Sequence, residues 1–95
     1  MADTTQQILD LISDVEIQRR LELFLRNPNR NSLHPSDLRL LDQAIVVAHQ
    51  TGGRLPATEI SDLLRQDTLW PEHSVERVYN HINIGNDILD AQRTI

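Results

Sequence analysis

The sequence predicts an all-α protein, a compact bundle of four to five short helices around a central helix near residues 36–50. Three observations carry that expectation. Apolar residues recur three and four apart along most of the chain, and no stretch of four or more keeps the apolar–polar alternation of a half-buried strand. Pro35, Pro56 and Pro71 each stand where an amphipathic run opens, and Gly52-Gly53 stands where one closes. Ninety-five residues without a cysteine allow one modest core and provide no disulfide framework in its place. The whole of 1–95 is therefore read as a single domain.

The first element opens at Thr4, with Gln7 at capping-box spacing, and runs through Ile8, Leu9, Leu11 and Ile12. Ser13 repeats the signal. Its hydroxyl can take the amide three residues on, Glu16 can reach back, and Ile12 and Ile17 flank the box as a hydrophobic staple. A short helix, a tight turn and a second helix over about residues 14–26 are expected, or else one continuous helix weakened at Ser13. Ile17, Leu21, Phe24 and Leu25 form the inner face of the second helix. Val15 and Leu23 fall off that stripe, with Arg19 between them. Arg26 and then Asn27-Pro28 stop the helix.

A polar loop over 27–33 leads to Pro35, and Asp37 sits in the first turn of the helix it opens, where the dipole favours it. Leu38, Leu41, Ile45 and Ala48 make one stripe, widened by Leu40, Ala44 and Val47. So broad an apolar arc marks the central helix, which Thr51-Gly52-Gly53 terminates. Pro56 starts a shorter helix with Ile60, Leu63 and Leu64 inward, and residues 67–70 form a turn. Pro71 starts the last helix, with Val75, Val78, Tyr79 and Ile82 inward. Gly85 is expected to weaken or end it, Ile88 and Leu89 to resume it, and residues 90–95 to fray. The expected core gathers these inner residues. Trp70 is read as filler between two helices or, if exposed, as an interface anchor.

Charge is unevenly placed. The net charge is −5 and all nine basic residues are arginine. Residues 1–16 carry four acids and no base, 17–39 carry +3, 40–56 balance, and 57–95 carry −4. The acidic total disfavours general adhesion to nucleic acid or anionic membranes. The polar, acidic N-terminus has neither region of a signal peptide, and no apolar run approaches a membrane span, so a cytoplasmic location is expected.

The central helix, the Gly-Gly/Pro loop, the short helix and the Pro71 helix together resemble the three-helix core of helix-turn-helix DNA-binding domains, closest to the winged type. The resemblance runs over about residues 37–84 and rests on 44–51, Gly52-Gly53, Leu55-Pro56, Glu59-Ile60-Ser61, Leu64 and Ser74-Val75. It implies that the Pro71 helix reads the major groove through His73, Arg77, Asn80 and His81, since arginine can grip guanine and asparagine adenine. Against this stand Glu72 and Glu76 on the same helix and the −4 of that segment, because phosphate neutralisation supplies most non-specific affinity.

The better candidate for a charged contact is the arginine segment: Arg19, Arg20, Leu23, Arg26 and Arg30. These arginines can instead form a solvated face paired with Glu16 and Glu22 at helical spacing. The histidines at 34, 49, 73 and 81 lack metal-ligand spacing, and no phosphate loop or nucleophile–base pattern is present. No cofactor and no metal are expected. The reading is a non-enzymatic regulatory or adaptor module that binds another protein, with itself as a homodimer among the options. A helix-turn-helix regulator is the alternative. The surface charge around the Pro71 helix should separate them: converging arginines favour DNA, outward-facing Glu72 and Glu76 favour protein.

Overall fold

The structure, a computed structural model, describes residues 3–26 and 29–93. It holds five helices, α1 (Thr4–Leu9), α2 (Val15–Leu25), α3 (Pro35–Gln50), α4 (Ala57–Arg65) and α5 (Glu72–Arg93). There is no strand among the described residues. The expected stop at Asn27-Pro28 lies outside them, as do the last two residues of the tail.

Both early helices start on an aspartate beside the expected cap. Asp3, extended at ψ 123°, accepts the Thr5 amide, so Thr4 is the first helical residue and not the cap. Asp14, at ψ 124°, accepts the amides of Glu16 and Ile17 at 2.9 and 3.1 Å, in place of Ser13. A carboxylate there also meets the positive end of the helix dipole. The Gln18 amide then donates to the Leu9 and Ile12 carbonyls at 3.0 and 2.7 Å, supplying partners that the end of α1 lacks. Asp14→Ala should therefore cost about 1 kcal/mol. Ser13→Ala should stay within about 0.5 kcal/mol, as at ordinary surface positions. Thermal melts of the two variants check the assignment.

α3 is central, as its apolar arc predicts. It runs antiparallel to α2, where Arg20 Nη1 meets Gln43 Oε1 at 2.9 Å. It runs parallel to α5, with Asp42, Ile45 and His49 facing His81, Gly85 and Asn86 in turn. α4 returns along α5, α1 seats on α2 and α4, and α3 and α4 do not pack on each other. α3 ends on a Schellman turn: the Gly53 amide reaches the Ala48 carbonyl and the Gly52 amide that of His49. Gly52 takes φ +88°, which is why a glycine stands there.

Gly85 does not end the last helix. α5 is continuous for 22 residues, and residues 90–93 of the expected frayed tail are helical within it. A Cβ at Gly85 would lie 3.0 Å from Ile45 Cδ1 and 3.3 Å from Ile45 Cγ2. The missing side chain lets α5 press against α3, and burial there outweighs the weak helix propensity of glycine.

The core holds the expected Ile17, Leu21, Phe24, Leu25, Leu41, Ile45, Ala48, Ile60, Leu64, Val75, Val78 and Ile82. Leu38, Leu63 and Tyr79 are half-buried against it. Ile8, Leu9 and Ile12 are buried, so α1 is part of the core, and Leu33 and Leu55 are buried from loops. Trp70 is core filler at 5% exposure, its ring 6.0 Å from that of Phe24. The radius of gyration, 12.7 Å, is close to the roughly 12 Å expected of a compact chain this long. No helix among the described residues is long and apolar enough to cross a membrane.

Candidate functional site

The outer face of α2 presents the arginine segment. Val15, Arg19 and Leu23 follow at four-residue spacing along one stripe. Val15 is 72% exposed and Leu23 55%, so α1 does not cover them. Two carboxylates on the same helix are occupied: Glu16 by Arg20 at 2.9 Å and Glu22 by Arg26 at 2.9 Å. Arg20 is further held by Gln43 on α3. Arg19 reaches Glu16 only at 3.9 Å, with its side chain 71% exposed. The paired, solvated-face reading thus describes Arg20 and Arg26, whereas Arg19 keeps its charge open between two exposed apolar side chains.

Arg30 stands apart from that stripe. Its guanidinium lies 5.8 Å from the centre of the Trp70 ring, close enough for a cation–π contact. Its Nε is buried without a hydrogen-bond acceptor. It belongs to the seam between the loop after α2 and the start of α5 and does not join Arg19 on a common surface.

The four residues proposed for base reading lie along α5, and three of them are bonded internally. His73 Nε2 donates to the Asn31 carbonyl at 2.9 Å and Arg77 Nη1 to the Leu33 carbonyl at 2.8 Å. His81 Nε2 donates to the Asp42 carboxylate. Ser74 Oγ adds a bond to the Arg30 carbonyl at 2.6 Å. The bonds of His73, Ser74 and Arg77 latch the loop over 29–34, with its buried Leu33, onto α5, whereas that of His81 ties α5 to α3. Asn80 is exposed. Both halves of the charge criterion are met in part. Arg30, Arg65 and Arg77 gather around the first turns of α5, and Glu72 and Glu76 are exposed among them. Arg65 is bonded to Glu72 at 3.0 Å and paired with Asp62 at 3.4 Å. The Glu72 hydrogen bond, outweighing partial desolvation and helped by the charges of Glu72, Asp62 and Glu76, raises its already high pKa.

At the far end of α5 lies a buried polar cluster that sequence reasoning missed. His49 falls in the last turn of α3, and its ring turns inward and is 7% exposed. Asn86 Nδ2 donates to the Leu55 carbonyl at 3.0 Å, which directs Asn86 Oδ1 towards His49 Nε2, also at 3.0 Å. Nε2 must then be the donor, and Nδ1 faces Asp90 at 3.7 Å. Arg54 binds the other oxygen of Asp90 at 2.8 Å, and Arg93 donates to the His49 carbonyl. The cluster joins the end of α3, the loop after it and α5. Asn86 lies four residues after Ile82 on the inner face of α5, which is the signal that could have placed it inside.

Among the described residues, no group of three or more His, Cys, Asp or Glu side chains is placed to hold a metal ion. A surface cleft between the α1–α2 turn and the loop after α3 is lined by Leu11, Ile17, Ala48 and Leu55, together with Asp14 and Arg54. No protein-family model, no curated protein and no solved structure matches the chain.

Proposed function

We propose that this is a non-enzymatic, cytoplasmic regulatory or adaptor module that acts by binding another protein through the outer face of α2. The observation that carries the reading is the stripe of Val15, Arg19 and Leu23, in which two strongly exposed apolar side chains flank an arginine whose nearest paired carboxylate, that of Glu16 at 3.9 Å, is held more closely by Arg20. Aliphatic area excludes water at a docked helix face, and a guanidinium between two such residues sets register with a carboxylate partner. Glu16 and Glu22, neutralised within α2, do not oppose an acidic partner.

The second reading, a helix-turn-helix DNA-binding regulator, draws on the arginines that gather at the start of α5 and on exposed Asn80. It requires Arg77 and His73 to leave the carbonyls of Leu33 and Asn31 and so to release the loop that they latch. Helix α5 also meets phosphates with Glu72 and Glu76 exposed.

One pair of variants separates the two. Replacing Arg19, Arg20 and Arg26 with glutamate should abolish nuclease-resistant capture of the partner. The wild-type capture should weaken as salt rises, because exposed charges are screened over about 10 Å at 0.1 M. Replacing Arg77 and Asn80 with alanine should leave it nearly intact. Sequence-specific duplex binding in gel shifts, lost with Arg77 and Asn80, would install the second reading instead.

A further inference from the structure

We draw no further inference here: the strongest candidate, the exposed apolar patch of Val46 on α3 with Ile84 and Ile88 on α5, is an unpartnered face, and nothing in the structure shows what covers it.

Discussion

Phe24→Ala is expected to destabilise the protein by about 3–5 kcal/mol, the range for removing a buried aromatic ring. The whole domain has on the order of 5–14 kcal/mol at this chain length, so one substitution removes a large share of it. Phe24 is fully buried, and its ring lies 6.0 Å from Trp70 at an interplanar angle of 39°, a tilted aromatic pair. Trp70 belongs to the turn before α5, so the pair joins α2 to a segment far along the chain. Arg30 stacks on the same tryptophan. Losing the Phe24 ring leaves a cavity beneath Trp70 and loosens the seam that also holds the loop over 29–34. Denaturant melts give the stability change. The single tryptophan reports the site directly, and its emission should shift to the red as water reaches the ring. A stability change within about 0.5 kcal/mol, as at a surface site, together with unchanged emission, would show that this ring is not the keystone of the seam.

Legibility in the sequence followed how local each determinant is. The bounds of α3 were readable from Pro35 and Gly52 because both act through their own backbone dihedrals. The caps of α1 and α2 were displaced by one residue because Thr4 and Ser13 stand next to Asp3 and Asp14. Adjacent polar residues compete for one capping role, and the winner is the residue whose backbone turns extended. Gly85 was misjudged because propensity is local, whereas its role depends on Ile45, forty residues away. A signal for it existed: Gly85 continues the stripe of Val75, Val78 and Ile82, which marks a close helix contact rather than an end. Leu33 and Leu55 show no periodicity, being single apolar residues among turn formers, and only the tertiary fold shows them buried. For the candidate site, the periodicity puts Val15 and Leu23 off the inner stripe of α2 but leaves open whether α1 covers them, because that depends on where α1 packs, and only the fold shows them exposed. The bonds of His73 and Arg77 were not legible, because their acceptors are backbone carbonyls of a loop more than forty residues earlier, and a carbonyl carries no sequence signature.

The contact between α3 and α5 gives the second large expected effect. Ile45→Ala should cost about 2–5 kcal/mol, as should Leu41→Ala, since both side chains are fully buried on the central helix. Ile45 has the further property of filling the space above Gly85. In the wild type, Gly85→Ala places a methyl 3.0 Å from Ile45 Cδ1 and 3.3 Å from Cγ2. Overpacking of that kind costs about 1–3 kcal/mol, while alanine in place of glycine within a helix returns about 1 kcal/mol. The single variant should therefore be destabilised by about 1 kcal/mol, the balance of those two ranges. In the Ile45→Ala background both crowding atoms are gone. There the same change should stabilise by about 1 kcal/mol, because only the helix term remains. The cycle should thus show a coupling of about 2 kcal/mol, inside the range found for residues in contact. Thermal or denaturant melts of the four proteins measure it. Additivity within about 0.5 kcal/mol is the behaviour of distant sites, and it would mean that α5 does not pack on α3 through Gly85. The close approach would then lose its account, and so would the continuity of α5 through a glycine.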